Sequence, residues 1–527
     1  MYKISFFTIV LFSIFTFGCS STKEVVKTET ETSSEPDPRA LEHFTDGQFF
    51  ELSGDFYAAI DEYREALNYD STSATISVAI SKAYEAVGKP ERGIKFLQNS
   101  IKHNPNHLES HRMLANVYLK GGLIKLAEKE WYKILELDSE DLNANYRLAY
   151  TSLIKGDSEN ALKYFLKIAE LQPNSTKILI DIAKLYEEQD MPLEAASFYE
   201  KALKSEPHNI KLRERIAEIY RKNRMVEKSI PHFEELAKIY PNEIYYQLVL
   251  GTLYYVQKDT TNAQEKFKNA KELDPEDWRA NFYLGQISVE NEEYDSALGY
   301  FKNIMEKYPE NLEGWIEYGK VLLIQDKLSQ AVKHFEKAEE RIPGKSVFQY
   351  YLGLVFAQMQ DLERAASAYE KSLEIQQNNI PALPGVASIY DLQKKYAKSD
   401  SAYAVLLEMT PENALILNNY SYSLAVRGEK LKEALQMSKK AISKEPTNSS
   451  YLDTIGWIYF KLENLDKALE YIQQAEMVSN EPNWEIYLHL GDIYDKMGNS
   501  LKAQENWVKG LALNPNSTEL KMKVEKK

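Results

Sequence analysis

Apolar residues in this chain recur at helical spacing, in blocks that repeat every 34 residues. Within the stretch from Ile244 to Asp277, Leu250, Gly251 and Tyr254 stand at i, i+1 and i+4. Ala263, Phe267 and Ala270 follow at i, i+4 and i+7. Each group falls on one face of a helix. The polar Lys258, Asp259 and Thr260 between them predict a turn joining two short helices. Pro275 ends the second helix, because it lacks an N–H and clashes with the preceding turn. Neither helix can bury its apolar stripe alone, so the unit requires neighbours.

The chain supplies them in register. Glycine returns at Gly251, Gly285, Gly319 and Gly353, and an aromatic ring at Phe165, Tyr199, Phe233, Phe267, Phe301, Phe335, Tyr369 and Tyr403. Alanine returns at Ala127, Ala161, Ala195, Ala263, Ala297, Ala331 and Ala365, with Ser229 filling the gap, and proline at every step from Pro173 to Pro343. Small residues let two helices approach closely, and the ring fills the space between units. Proline stops one hairpin, and Asn242, Asp277 or Asn311 after it can cap the next helix. These residues resemble the tetratricopeptide repeat. The resemblance covers 40–517 in fourteen repeats. The first eleven run without a gap from 40 to 413, followed by 414–448, 449–483 and 484–517. It implies an all-α fold, a right-handed α-solenoid in which the first helix of each repeat lines a concave groove. In repeat eleven Pro381, Pro384 and Gly385 intrude on the first helix; Pro381 fits its first turn, and Pro384 is expected to shorten or distort it.

The N-terminal end departs from the repeat. Lys3 precedes an apolar run from Ile4 to Phe17, too short for a comfortable membrane span, and 1–18 reads as a secretory signal. Thr16-Phe17-Gly18-Cys19 resembles the lipobox of bacterial lipoproteins, with Gly18 matching and Thr16 and Phe17 departing from the usual Leu and small residue. The resemblance implies acylation of Cys19 and a lipid-anchored place in the bacterial cell envelope. Ser20 is not the Asp that retains such proteins at the inner membrane, which implies the outer membrane, facing the periplasm. The alternative is an uncleaved hydrophobic anchor with an incidental Cys. Residues 19–39 have the polar composition of a disordered tether, and 518–527 form a short lysine-rich tail that can extend as a solvating helix over the last repeat.

Composition narrows the partners. A net charge of −15 and a pI near 5.3 make nucleic acid a poor partner, and no basic stripe offsets them. Cys19 is the single cysteine, so no disulfide framework forms within the chain. The repeat accounts for most of the 36 tyrosines.

Catalytic chemistry is not signalled. His103, His107 and His111 stand four apart, but Pro105 interrupts the helix that would align them for a metal. Gly344-Lys345-Ser346 imitates the end of a phosphate loop, with Glu339 where its first Gly belongs. No catalytic, metal or cofactor residues are assigned. A carboxylate clamp of the kind some tetratricopeptide domains use is incomplete: Arg112 and Asn116 fit its first positions and Lys177 fits a later one, but Arg147 stands where Asn is expected and Asp181 where a base is expected.

The resemblance places positions 2, 5, 9 and 12 of each repeat on the concave side. In repeats five and six these are charged: Lys177, Lys184, Glu187, Lys211, Glu214, Glu218 and Arg221. In repeats seven to ten they turn apolar, at Tyr245, Leu248, Tyr255, Phe282, Ile316, Tyr350 and Leu354, with Tyr283 and Tyr351 beside them. A second aromatic group stands at Tyr422, Trp457 and Phe460. Either these side chains form a binding groove, or they pack between adjacent first helices. The expectation is a non-catalytic scaffold that takes protein or peptide partners in its groove during envelope assembly or export, with no nucleic acid and no small-molecule cofactor. The alternatives are a glycan-binding module of a polysaccharide export system, whose Tyr and Trp stack on sugar rings, and a passive spacer.

Overall fold

The computed structural model describes residues 37–376 and 381–525. The expected signal segment 1–18, Cys19 and the tether as far as Pro36 lie outside the described residues. Among the described residues there are 29 α-helices, one short 3-10 helix and no strand. The chain divides into two compact units, Met1–Met225 and Val226–Lys527.

Repeat seven shows how sequence becomes hairpin. Its helices are Ile244–Val256 and Thr260–Leu273. The first ends on Lys258 with φ of +62°, whose N–H bonds to the Tyr255 carbonyl at 3.0 Å while the Asp259 N–H bonds to the Tyr254 carbonyl at 3.0 Å. That pair of bonds is a Schellman motif, and it satisfies carbonyls that the helix end would otherwise orphan. Asp259 then caps the second helix, accepting from the Asn262 N–H at 3.1 Å. The left-handed residue recurs in step, as Gly54, Gly88, Gly122 and Gly156 in the first four repeats and as Asp190, Arg224, Lys258 and Glu292 in the next four.

Packing explains the registers. Ala263, Phe267 and Ala270 are fully buried. A Cβ placed on Gly251 would meet the Phe267 ring at 2.6 Å, and one on Gly319 would meet Phe335 at 2.1 Å. Glycine on the first helix is therefore the recess that receives the ring of the second. Within each unit, every helix packs on its chain neighbours, so hairpins stack in order. Repeat eleven has a shorter first helix, Ala382–Leu392, of 11 residues against the usual 13. Pro384 sits in its first turn, where a missing N–H costs nothing, and Gly385 makes room for Tyr369, 2.6 Å from where a Cβ would stand.

The tail forms the helix Thr518–Glu525, with Leu520 fully buried in a cluster that includes Trp507 and Tyr494. No helix among the described residues is long and apolar enough to cross a membrane.

Candidate partner-binding surface

The side chains that bind a hairpin together fix where its inner side must be. In Ile244–Val256, Gln247, Leu250, Gly251 and Tyr254 are buried, which turns Tyr245 and Tyr255 away from the second helix. Tyr245 is 41% exposed, and Tyr255 is half-buried. Leu248 does not share that exposure. It is only 6% exposed, because this helix also touches the first helix of the next repeat, Trp278–Glu290. The expectation that Leu248 lines an open groove is corrected: it is core.

Tyr255 meets Tyr283 edge-on at 5.6 Å, and Tyr283 stacks on Phe267 at 4.6 Å. Phe282 stands edge-on to Tyr283 at 5.4 Å and to Trp278 at 6.1 Å. The Tyr255 hydroxyl donates to the Glu290 carboxyl. Burial, then that hydrogen bond and the Glu290 charge, raise the phenol well above its usual range, so it stays a donor at any physiological pH. In repeats nine and ten, Tyr351 stacks on Phe335 and meets Tyr350 edge-on, both at 5.1 Å. Burial, then Glu317, push Tyr351 up to about 12. The inner aromatics of repeats seven to ten thus form clusters whose floor is the rings of second helices. Tyr255, Phe282, Tyr283, Tyr350 and Tyr351 are all half-buried, fixed in place and open on one side.

The second group is divided. Tyr422 and Phe460 are half-buried, but Trp457 is only 8% exposed. Its ring stacks on His489 at 4.0 Å and on Phe460 at 4.7 Å. Trp457 therefore belongs to the packing between repeats thirteen and fourteen, and its expected place in an open groove is corrected.

In the unit Met1–Met225 the structure adds residues that the sequence reading passed over. Tyr146 and Tyr150, at positions 5 and 9 of repeat four, stack at 6.4 Å and line a hollow of about 720 Å³ with Leu119, Ile124 and Ile154. The same position rule finds them once it is applied before repeat five. The Tyr150 hydroxyl donates to Asp181 at 3.1 Å, and Lys177 Nζ lies 5.1 Å from the Tyr150 ring. Arg112 is committed to Asp141 at 2.7 Å and Asp138 at 3.3 Å. His107 caps the helix Leu108–Lys120, and His111 is buried with Nδ1 2.6 Å from Glu130. Among the described residues no group of three or more His, Cys, Asp and Glu side chains is placed to hold a metal.

The chain is similar to several known proteins. A TPR repeat-containing protein of Pseudomonas aeruginosa is 31% identical over 96 residues, which is 18% of this chain and 16% of the relative, so the match spans a small part of that protein's length. Among solved structures, the APC/C hetero-tetramer Cut9-Hcn1 aligns over 92% of this chain and 96% of its own, at 14% identity and a TM-score of 0.40. A tetratricopeptide repeat protein from Parabacteroides merdae aligns over 56% of this chain and 97% of its own, at 16% identity and 0.34. The MamA protein aligns over 33% of this chain and 94% of its own, at 21% identity and 0.29. Two models described as tetratricopeptide repeat match the sequence itself, one at 78–141, 248–311, 289–346 and 319–380, the other at 142–175, 176–209, 449–481 and 485–517. Together they take in well over half of the residues, and the chain belongs to the tetratricopeptide repeat family.

Proposed function

We propose that this chain is a non-catalytic scaffold of the bacterial cell envelope, anchored through an acylated Cys19 and binding protein or peptide partners on the inner face of repeats seven to ten. The family supports the general role, since tetratricopeptide repeats serve as protein–protein interaction modules. The observation that carries the specific site is the run of ordered aromatic side chains with one open edge, from Tyr245 through Tyr255 and Phe282 to Tyr350. Tyrosines held in this way lose little entropy on binding and offer both apolar area and a hydroxyl. The anchor rests on Lys3, the apolar run to Phe17 and the sequence Gly18-Cys19. Ser20 after the cysteine, in place of the Asp that retains such proteins at the inner membrane, supports attachment to the outer membrane.

The groove is tested with a Tyr245, Tyr255 and Tyr350 triple alanine variant, crosslinked in the native envelope beside the parent. Loss of a specific crosslinked partner, with the helical circular dichroism retained, supports the site. An unchanged partner set removes it. For the anchor, Cys19→Ser should abolish palmitate labelling and release the protein from the membrane fraction; unchanged labelling refutes lipidation.

A further inference from the structure

Between repeats eleven and twelve, wholly within the unit Val226–Lys527, lies a cavity of about 410 Å³. That volume is in the range of roughly 300–1,000 Å³ typical of small-ligand sites. Its wall includes Asp391 at the end of Ala382–Leu392, Tyr396 and Tyr403 on Tyr396–Met409, and Tyr422, Ser423 and Arg427 on Ala414–Arg427.

Three buried polar atoms in this wall have no hydrogen-bond partner: Asp391 Oδ1, Ser423 Oγ and Arg427 Nη1. The Arg427 side chain is only 4% exposed, and Ser423 is 8% exposed. Arg427 is held by its other two nitrogens, Nη2 donating to Asp400 at 2.7 Å and Nε to the Ser423 carbonyl at 3.3 Å, and its guanidinium lies 4.9 Å from the Tyr396 ring. Glu429 Oε2 stands 3.7 Å from Nη1, near enough to balance charge and too far to accept a hydrogen bond. Folded proteins leave few such atoms unmatched, and three around one cavity point to a group that arrives from outside.

The wall also limits what that group is. Its charged members are one acid and one base: Asp391 opposes an anion, and Arg427, which Asp400 pairs from outside the lining, opposes a cation. The unmatched atoms are one donor, one acceptor and one hydroxyl that can serve as either. A neutral ligand with adjacent hydroxyls answers all three, because each hydroxyl donates once and accepts twice. Tyr403 is stacked on Tyr420 and Arg427 lies over Tyr396, so the half-buried Tyr422 is the lining ring that suits the apolar C–H face of a pyranose. We propose that this cavity binds a neutral saccharide ring, with adjacent hydroxyls bridging Arg427 and Asp391. The site is separate from the partner surface of repeats seven to ten.

The test is saturation-transfer NMR on the full chain with glucose, galactose, mannose, N-acetylglucosamine, maltose and cellobiose, beside the acetylated amides of asparagine and glutamine as peptide probes. Transfer to the ring protons of at least one sugar is expected. Titration of that sugar should show binding about tenfold weaker in Asp391→Ala and weaker again in Asp391→Ala/Ser423→Ala, since each loses a hydrogen bond to the ligand. Ser423→Ala alone removes one hydroxyl that has no partner in the chain, so it is the variant that retains the fold and should still bind more weakly than the parent. The proposal is overturned by a folded parent that transfers to no sugar. It also fails if Ser423→Ala and Asp391→Ala both bind as the parent does, or if the amide probes bind where the sugars do not, which would make the cavity a peptide subsite.

Discussion

Repeats five and thirteen are built as the same hairpin and differ in what their first helix meets. In repeat five, Thr176–Glu188 buries Ile178, Leu179, Ile182, Ala183 and Leu185 and leaves Lys177 and Lys184 exposed. In repeat thirteen, Ser449–Lys461 is buried at every residue from Tyr451 to Tyr459, Asp453 and Thr454 included. Its inner side is covered by repeat fourteen. His489 Nδ1 lies 2.9 and 3.0 Å from the two Asp453 oxygens, and Trp457 lies flat on the His489 ring. The repeat pattern decides which side of a first helix packs against its own hairpin. What the other side meets is decided by the neighbouring helices, so an inner aromatic residue is groove in one repeat and core in another.

The sharpest way to break this comparison is to remove one member of the covered pair. Asp453 is 7% exposed and His489 4%. Deleting one partner of a buried pair costs about 3–5 kcal/mol, because the other is left without compensation. Asp453→Ala should therefore lower the opening free energy of Ser449–Lys461 by about 3 kcal/mol, read as lost amide-exchange protection over that helix. Lys184→Ala, on the solvated inner side of repeat five, should leave protection there unchanged. Equal losses at both sites would show that the inner side of repeat thirteen is not core.

The same pair predicts a pH dependence of fixed sign. Burial alone would lower the His489 pKa, but the Asp453 charge and hydrogen bond, with Glu485 and Asp492, carry it above its ordinary 6.5. A histidine whose folded pKa is raised contributes stability that is complete below its unfolded value and is lost as pH rises through the folded one. Protection of Ser449–Lys461 should accordingly fall as pH is raised from about 6.5. His489→Gln should flatten that dependence, and repeat five, which has no histidine in Thr176–Ser205, should show none of it. Protection that rises with pH over this range would reverse the assignment.

The difference between the two repeats also marks how far the sequence could be read. The hairpins, their 34-residue step and the packed positions were legible, because glycine, alanine and aromatic residues at those positions answer to one short-range demand within each hairpin. The inner surface was legible only in part. Tyr245 is exposed as read, while Leu248 and Trp457 are covered by helices one repeat away, a distance at which periodicity carries no information. Tyr146 and Tyr150 obeyed the position rule and were passed over. Of the cavity beside Arg427, Tyr403 and Tyr422 were legible, while Asp391, Ser423 and Arg427 follow no motif and come together only where the helices Ala382–Leu392 and Ala414–Arg427 meet.

A smaller effect tests how closely each repeat is fitted. At the eighth position repeat thirteen has Gly456 and repeat five has Ala183. A Cβ on Gly456 would meet Ile472 Cγ1 at 2.3 Å, and Ile472 is fully buried with little room to yield. Gly456→Ala should destabilise by about 1–3 kcal/mol through overpacking, despite the higher helix propensity of alanine. The reverse change, Ala183→Gly, should destabilise too, by about 1–2 kcal/mol, through lost propensity and a lost buried methyl in the cluster with Tyr199. Thermal midpoints of the two variants decide it. If Gly456→Ala stabilises, that glycine is not a recess.

The smallest expected effect lies in the turns, where the two repeats agree in geometry and differ in side chain. Asp190 has φ of +58° and Glu463 of +63°. Each closes the same Schellman motif, with the Asp190 N–H bonded to the Glu187 carbonyl at 3.1 Å and the Glu463 N–H to the Phe460 carbonyl at 3.0 Å. A left-handed conformation costs an ordinary L-residue about 1–2 kcal/mol, whereas aspartate visits it more readily through local hydrogen bonding. Glycine removes that cost and returns part of the gain as extra freedom in the unfolded chain. Glu463 also pairs with Lys496 at 3.0 Å, but its side chain is 77% exposed, and such a pair contributes little. Glu463→Gly should therefore stabilise its repeat by about 0.5 kcal/mol, and Asp190→Gly by less. The measurement is the change in amide-exchange protection of Leu465–Val478 and of Pro192–Ser205, the helices that follow the two turns. A larger gain at Asp190 than at Glu463 would mean that these turns are held by their neighbours rather than by the conformational preference of the residue at the corner.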